Sequence, residues 1–227
     1  MSKPININNK RVQQQQGYDL LRGLCVAFEG LKGSGKTTHA ELLKTFWEDR
    51  YGVDTVTLYK FPDPQSSDVF HGIARMYIET QNLLYKTSMM VYSIMRKNIQ
   101  EEIKKKLKSP NHLVILDEYI FTSIARSLTN DVCMDEAVVN ENLNIVPHVS
   151  LFFENSLPSS KTLQSTFYKV MQSSQDITNW YTINTTKYTI EENMTIVIEN
   201  FENYLRYYHH DDKKIFTIDE FIKNWYK

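Results

Sequence analysis

The stretch Gly30-Leu-Lys-Gly-Ser-Gly-Lys-Thr37 decides the fold, because it is a complete G-x-x-x-x-G-K-T pattern directly after the apolar residues 24–28. Its glycines permit backbone angles that let successive N–H groups converge on an anion. Lys36 adds a positive charge and Thr37 a hydroxyl group for Mg²⁺. A helix starting at Lys36 would also direct its partially positive end at the anion. We therefore predict nucleotide binding through Gly30, Gly33, Ser34, Gly35, Lys36, Thr37 and Thr38.

The composition restricts the class of protein. The chain has 227 residues, of which 41% are hydrophobic, which is enough for one α/β domain with an appendage. A net charge of −1 provides no broad field for nucleic acid or membrane surfaces. The two cysteines form no disulfide or metal pattern, and no apolar run approaches the roughly 18 residues of a membrane span. With no apolar signal core after Met1, we predict an intracellular protein, in the cytoplasm or nucleus, without nucleic-acid or membrane partners.

Apolar strands alternate with amphipathic helices along the chain. We predict strands at residues 24–29, 53–61, 113–116, 149–153 and 180–183, and helices at residues 36–50, 69–79, 84–107, 190–208 and 217–225. Residues 1–20 read as a flexible tail, and residues 211–227 as a C-terminal appendage. The order predicts an α/β domain over residues 21–227, with about five parallel strands covered by helices on both faces.

Four motifs distinguish between the enzyme classes that this fold leaves open. The chain lacks the N-K-x-D pattern for guanine, which disfavours a GTPase. It does contain, in order, Phe28-Glu-Gly30, Phe61-Pro62, Tyr92-Ser-Ile-Met-Arg96 and Asp117-Glu-Tyr119. Along residues 22–208 this order resembles the thymidylate kinase family, whose members read E-G-x-x-x-x-G-K-[ST], F-P, a helix with an arginine, and D-R-[YH]. The resemblance implies a three-layer P-loop kinase fold and Mg²⁺-dependent transfer of the γ-phosphoryl group of ATP to dTMP.

The resemblance also implies roles for the acceptor site. Tyr92 matches an aromatic residue that stacks on thymine, and Arg96 matches the arginine that contacts the base and phosphate region of the acceptor. Phe61 would line the base pocket, and Tyr119 would stand near the deoxyribose, where a ring excludes a 2′-hydroxyl group. From the residues alone, Phe61 and Tyr92 are also readable as core aromatics, and Arg96 as the start of a solvated helix face.

The catalytic and metal-binding roles would fall on residues at the ends of strands. Asp117 would lie near Mg²⁺ and the phosphates, with Thr37 as the second metal-binding residue. Asp117 follows the apolar strand at residues 113–116, and ligands bind at the carboxyl ends of such strands. With Lys36 and Lys32, Asp117 completes the set of candidate catalytic residues.

The chain departs from the family pattern at charged positions. Glu118 replaces the arginine of D-R-Y, and Pro64 replaces the usual arginine after F-P. Lys32 stands in the phosphate loop where an acidic residue is common. We interpret Lys32 and Glu118 as an exchange of charges, with Lys32 contacting phosphate and Glu118 beside the acceptor.

The predicted lid, at residues 155–165, contains no arginine, and Lys161 is its one lysine. Phosphoryl transfer depends on positive charge around the transferred group. Lysine is a poorer bidentate partner for phosphate than arginine. Compensation would have to come from Lys32, Lys161 or Arg126; otherwise catalysis is weak.

Three functions therefore stay open. The first is a dTMP kinase. The second is a deoxynucleoside kinase, which needs a carboxylate base for a neutral 5′-hydroxyl group, a role open to Asp63. The third is a nucleotide-binding protein with an interaction role and weak catalysis. Family members commonly form homodimers, and the apolar residues 89–95 fit either a dimer interface or the monomer core.

Overall fold

The computed structural model describes residues 22–63, 65–66, 68–80, 85–139, 141, 144–155 and 161–208. The predicted tail at residues 1–20, the appendage at 211–227 and the helix at 217–225 lie outside the described residues. So do Pro64 and residues 156–160 of the predicted lid.

Five parallel strands form one sheet. They are β1 (Leu24–Gly30), β2 (Val56–Lys60), β3 (Leu113–Asp117), β4 (Val149–Glu154) and β5 (Asn179–Asn184). Their spatial order is β2-β3-β1-β4-β5, and each neighbouring pair is parallel. Every residue of β1 and β3 is buried, as their continuous apolar runs predict for strands covered on both faces. The predicted five-stranded parallel sheet is confirmed.

Helices cover both faces of the sheet. They are α1 (Lys36–Tyr51), α2 (Val69–Thr80), α3 (Tyr85–Asn98), α4 (Gln100–Leu107), α5 (Ile120–Thr129), α6 (Met134–Val139), α7 (Lys161–Ser174) and α8 (Ile190–Tyr208). One apolar core joins the sheet to α1 and α8, and a second joins its other face to α3, α4, α5 and α7. This is the predicted three-layer arrangement. Within the described ranges, no helix is both long and apolar enough to cross a membrane.

The prediction of a single helix at residues 84–107 is wrong, because the helix is interrupted at Ile99, between α3 and α4. The side chain of Gln100 donates a 2.6 Å hydrogen bond to the carbonyl oxygen of Arg96. Its amide oxygen also accepts a 2.8 Å bond from the N–H group of Ile145. A buried contact 45 residues away in sequence therefore accompanies a break that helical periodicity did not show.

The predicted strand at residues 53–61 is too long at its start. Val53–Thr55 forms a turn of 3-10 helix, and the strand begins at Val56. The Thr55 hydroxyl group donates a 2.6 Å hydrogen bond to the carbonyl oxygen of Gly52, which holds the turn. The β-branched residues here misled the prediction, because a local side-chain bond competes with strand pairing.

Candidate active site

The phosphate loop connects β1 to α1 at the carboxyl edge of the sheet. Gly30 has a φ of 132°, and a Cβ atom there would lie 2.4 Å from the carbonyl oxygen of Phe153. Gly35, which precedes the first residue of α1, is in the left-handed conformation, with a φ of 85°. The backbone of the loop thus requires glycine at these two positions.

Lys36 directs its ammonium group back into the phosphate loop. Its Nζ atom donates hydrogen bonds to the carbonyl oxygens of Gly30, at 3.1 Å, and Leu31, at 2.8 Å. It lies 3.8 Å from the Glu118 carboxylate. Burial lowers the pKa of the Lys36 amine, whereas Glu118 raises it. The loop therefore contains a buried positive charge with three oxygen partners.

Thr37 and Asp117 place a hydroxyl oxygen and a carboxylate side by side, at the start of α1 and the end of β3. The Thr37 hydroxyl group donates a 2.6 Å hydrogen bond to the Asp117 carboxylate. Burial raises the pKa of Asp117, while the bond from Thr37 and the charge of Lys36 lower it. Mg²⁺ prefers such oxygen donors and usually binds through one or two carboxylates, substrate phosphates and water. The pair fits Mg²⁺, and no cluster of three or more His, Cys, Asp or Glu residues occurs in the described part of the chain.

A cavity of about 570 Å³ adjoins the loop, and we call it the aromatic cavity. Its walls combine aromatic rings with three cationic side chains, which suits a planar base joined to an anionic group. It is lined by Lys32, Phe61, Pro62, Tyr85, Ser88, Met89, Tyr92, Arg96, Glu118, Tyr119, Ser123, Arg126 and Leu163. The structure thus brings together the five predicted acceptor-site residues, namely Phe61, Tyr92, Arg96, Glu118 and Tyr119.

Arg96 is buried in an ion pair rather than lying on a solvated helix face. Only 2% of it is exposed, and its guanidinium group donates two hydrogen bonds to the Glu141 carboxylate, one of them 2.9 Å long. A third bond, of 2.9 Å, goes to the hydroxyl group of Ser123. Glu141 is itself fully buried and accepts a 2.6 Å bond from the Asn144 amide. A buried charge of this kind needs its partner, so Glu141 holds the Arg96 side chain at the cavity wall.

Sequence reasoning missed Glu141, because nothing in its neighbourhood marks it. It lies between two asparagines, 45 residues from Arg96, outside any helix or strand of the described chain. A search for acidic residues able to balance a buried arginine would have included it among many others.

The aromatic residues belong to both the core and the cavity. Tyr119 is fully buried, and its phenol oxygen accepts a 3.1 Å hydrogen bond from the Gln100 amide. Its ring centroid lies 6.0 Å from that of Phe61, which is also buried. Tyr92 is half-buried and packs against the same core. Phe61 is therefore both a core residue and a residue that lines the cavity.

Glu118 connects the cavity to the phosphate loop. Its backbone has a φ of 66°, and its N–H group donates a 3.0 Å hydrogen bond to the carbonyl oxygen of Phe28. Its carboxylate forms ion pairs with Arg126 and, at 3.8 Å, with Lys36. Lys32 is exposed and lines the same cavity. Its contact with phosphate stays a prediction.

Glu29, which the motif contained without a role, organises the floor of the site. Its buried carboxylate accepts hydrogen bonds from the N–H groups of Tyr119, Phe121 and Thr122, at 3.3, 3.2 and 2.8 Å. The Thr122 hydroxyl group also donates to it, and accepts a 3.1 Å bond from the N–H group of Gly30. Burial raises the pKa of Glu29 to about 7, against the effect of these donors. Glu29 therefore ties the start of α5 to the phosphate loop.

Asp63, the alternative base, lies in the segment after β2 and is not among the residues lining the aromatic cavity. Its carboxylate accepts a 2.9 Å hydrogen bond from the N–H group of Gln65. Its own N–H group donates a 2.7 Å bond to His71, and its carbonyl oxygen accepts a 2.5 Å bond from Arg75. The contacts therefore give Asp63 a role in shaping this segment.

The described part of the predicted lid is mostly helical. Lys161 is the first residue of α7, so residues 161–165 belong to that helix rather than to a loop. Leu163 lines the aromatic cavity, whereas Lys161 is exposed and is not among the lining residues.

Comparison with models of known protein families identifies the family of this chain. The family model described as Thymidylate kinase matches residues 28–220, which is most of the chain. The chain belongs to the thymidylate kinase family. The resemblance that the motifs predicted is thereby confirmed.

Similarity to individual members of the family is moderate. The chain is 30% identical over 100 residues to the thymidylate kinase of Ehrlichia ruminantium (strain Gardel), covering 44% of this chain and 48% of the relative. It is 30% identical over 115 residues to the probable thymidylate kinase 2 of Saccharolobus solfataricus, covering 51% of each. The chain thus spans about half the length of the curated relatives it matches.

Solved structures of the family share the fold. The thymidylate kinase of Ehrlichia chaffeensis superposes with a TM-score of 0.67 at 21% identity, over 79% of this chain and 98% of that one. The thymidylate kinase of Candida albicans gives a TM-score of 0.64 at 19% identity, over 81% and 94%. These likenesses confirm the predicted three-layer α/β fold.

Proposed function

We propose that this protein is a thymidylate kinase, which transfers the γ-phosphoryl group of ATP to dTMP and releases dTDP and ADP. The observation that carries the proposal is the junction of a complete phosphate loop with a cavity that combines aromatic rings and guanidinium groups. The family to which the chain belongs supports the same reaction.

The donor nucleotide would bind at the phosphate loop. Gly30, Gly33, Ser34, Gly35 and Thr38 would supply the backbone and side-chain contacts, with Lys36 contributing its charge. Thr37 and Asp117 would hold Mg²⁺, which would neutralise charge on the phosphates of ATP. The 2.6 Å bond between these two side chains supports this assignment, because it places a hydroxyl oxygen and a carboxylate oxygen next to each other beside the phosphate loop.

The acceptor would occupy the aromatic cavity. Phe61 and Tyr92 would contact the thymine ring, and Arg96 would donate to the base from its fixed position against Glu141. Tyr119 would pack beside the deoxyribose. Its phenol oxygen is bonded to Gln100, so the ring is held in one place and would leave little room for a 2′-hydroxyl group.

Phosphoryl transfer to dTMP requires from the protein mainly correct positioning of the two nucleotides and positive charge around the transferred group. The phosphate of dTMP is already ionised at neutral pH, so one of its oxygens attacks the γ-phosphorus without a general base, and ADP leaves from the opposite side. Thymidine differs, because its 5′-hydroxyl group requires a base. The cavity carboxylate, Glu118, is paired with Arg126 and Lys36, an arrangement that favours a nucleotide acceptor.

An assay of ADP release with dTMP, dUMP, thymidine or no acceptor tests the proposal. We expect turnover with dTMP, and little or none with thymidine or without an acceptor. Turnover with thymidine alone would identify a deoxynucleoside kinase instead. Measurable ATP binding without any turnover would identify a nucleotide-binding protein with another role.

We also propose that the protein forms a homodimer through α2 and α3. Met76 on α2 is 50% exposed, and Met90 and Ile94 on α3 are 50% and 37% exposed. Exposed apolar side chains grouped on adjacent helices suit a protein interface. Light scattering after size exclusion should give twice the monomer mass for wild type and the monomer mass for Met90→Glu; a wild-type monomer at micromolar concentration would contradict this proposal.

For its location we propose the cytoplasm or the nucleus, where the nucleotide substrates occur. Both Cys25 and the exposed Cys133 are unpaired thiols, which fits a reducing compartment. Recovery of the native protein only from a secreted fraction would contradict this location.

A further inference from the structure

Three cationic side chains line the aromatic cavity, and they differ in burial and in charge pairing. Arg96 is almost wholly buried, and its charge is balanced by two hydrogen bonds to the buried Glu141. Lys32 is exposed and lines the cavity with a flexible side chain. The side chain of Arg126 is 31% exposed and lines the cavity from α5. Arg126 thus provides a guanidinium group that is both partly accessible and carried by a helix.

The balance of charge around Arg126 leaves room for an anion. Its partner, Glu118, also lies 3.8 Å from Lys36, so a single carboxylate is shared between two cations. Asp117 also lies within electrostatic reach of Lys36 and is the residue proposed to bind Mg²⁺. A phosphate that enters between the cavity and the loop would therefore be attracted by the guanidinium group of Arg126 and would compete there with Glu118. Guanidinium groups bind phosphate in a bidentate manner, with short charge-assisted hydrogen bonds.

The backbone around Arg126 is well fixed. The start of α5 is held by the buried Glu29 carboxylate, which accepts bonds from the N–H groups of Phe121 and Thr122. The end of α5 is capped by the N–H group of Asn130, which donates a 3.1 Å bond to the Arg126 carbonyl oxygen. A binding group carried on such a rigid element is placed more accurately than one on a loop.

We propose that Arg126 binds the phosphate group of the acceptor nucleotide; this inference rests on the kinase function proposed above. In the family pattern, the arginine of D-R-Y stands where this chain has Glu118. Here the guanidinium group reaches the cavity from the next helix instead, and Glu118 pairs with it.

Binding measurements with dTMP and thymidine isolate this role, because the two ligands differ only in the phosphate. Titration calorimetry on the full chain gives the ratio of their dissociation constants. For Arg126→Gln we expect dTMP to bind on the order of 10- to 100-fold more weakly, and thymidine within about twofold of wild type. An unchanged ratio would overturn the proposal, as would equal weakening of both ligands, which indicates a structural role.

Arg50→Gln is the matched control. Arg50 also pairs with a glutamate, Glu202, at 2.9 Å, but it lies in the last turn of α1, roughly 20 Å along the helix from the phosphate loop. Its substitution should change neither dissociation constant by more than about twofold. A loss of dTMP affinity as large as that of Arg126→Gln would mean that any lost arginine has this effect, and would overturn the assignment.

Exchange of the charges of Glu118 and Arg126 tests whether the lost dTMP affinity can be recovered. In the double variant Glu118→Arg with Arg126→Glu, a guanidinium group is still present among the lining positions, carried by position 118 instead of position 126. We expect it to recover at least about 5-fold of the dTMP affinity lost in Arg126→Gln. Recovery supports binding by the guanidinium group, and affinity no better than Arg126→Gln contradicts it.

The failure of this inference can be told from the failure of the proposed function. If wild type turns over dTMP but Arg126→Gln keeps its preference for dTMP over thymidine, only the role of Arg126 is wrong. If wild type prefers dTMP, loses that preference in Arg126→Gln and shows no turnover, only the kinase function is wrong. A wild type without any preference for dTMP contradicts both.

Discussion

The hydroxyl group of Thr37 donates a 2.6 Å hydrogen bond to the carboxylate of Asp117, which lies 80 positions later in the chain. The bond forms because β1 and β3 are neighbours, with Phe28 paired in register with Asp117. The carboxyl ends of the two strands therefore meet where ligands bind in open α/β sheets.

Asp117→Asn should weaken the use of Mg²⁺. The substitution replaces the carboxylate that we propose to bind Mg²⁺ by an amide of the same shape, so we expect the Mg²⁺ concentration for half-maximal rate to rise by about 10-fold or more. The measurement is the initial rate of ADP release against Mg²⁺ concentration. An unchanged Mg²⁺ titration would show that Asp117 does not bind the metal.

Lys36→Ala should nearly abolish turnover. The variant removes the buried charge of the phosphate loop, and loss of such a cation costs on the order of 10³-fold in rate. Lys44→Ala is the control, because Lys44 lies on α1 in a surface ion pair with Glu48. Retained activity in Lys36→Ala would mean a contaminating kinase or a different site.

Lys32→Ala tests the predicted exchange of charges between Lys32 and Glu118. Lys32 is exposed and lines the aromatic cavity, so we expect turnover with dTMP to fall by roughly 10-fold without a change in thermal stability. Steady-state kinetics with dTMP and ATP varied in turn give the relevant constants. If turnover and both nucleotide affinities stayed at wild-type values, Lys32 would have no contact with phosphate.

His148 should make the fold sensitive to acid. The N–H group of Cys25 donates a 3.0 Å hydrogen bond to Nδ1 of His148, so this nitrogen must be unprotonated, and burial lowers the pKa of His148 to about 4. In the unfolded chain His148 binds a proton near pH 6.5, whereas in the folded chain it does so only near pH 4. The stability that His148 contributes above pH 6.5 is therefore lost as the pH falls from 6.5 to 4.

His148→Asn provides the reference for this titration, because its amide oxygen can accept the same bond and does not titrate. The free energy of unfolding of wild type, relative to the variant, should fall by at most about 3 kcal/mol between pH 6.5 and 4. Urea denaturation at several pH values measures this difference. A difference that stays constant with pH would show that the ring of His148 is not held neutral.

The sequence predicted the parts of the site that depend on local pattern. The phosphate loop was recognisable because its glycines meet a backbone requirement, as the close approach of Gly30 to Phe153 shows. Asp117 was recognisable because it ends a continuous apolar strand. The break at Ile99 was missed because helical periodicity continues through it, whereas the hydrogen bonds of Gln100 to Arg96 and Ile145 that accompany it form only in the folded chain.

The sequence by itself determined the class of fold, the phosphate loop and the family, since apolar periodicity, turn residues and motif order are all properties of short segments. Only the tertiary structure decided which charges are partners. Glu141 neutralises Arg96 across 45 residues, and Glu118 pairs with Arg126 rather than with Lys32 in the described structure. Such pairs depend on which helices the sheet brings side by side, and no local pattern encodes that proximity.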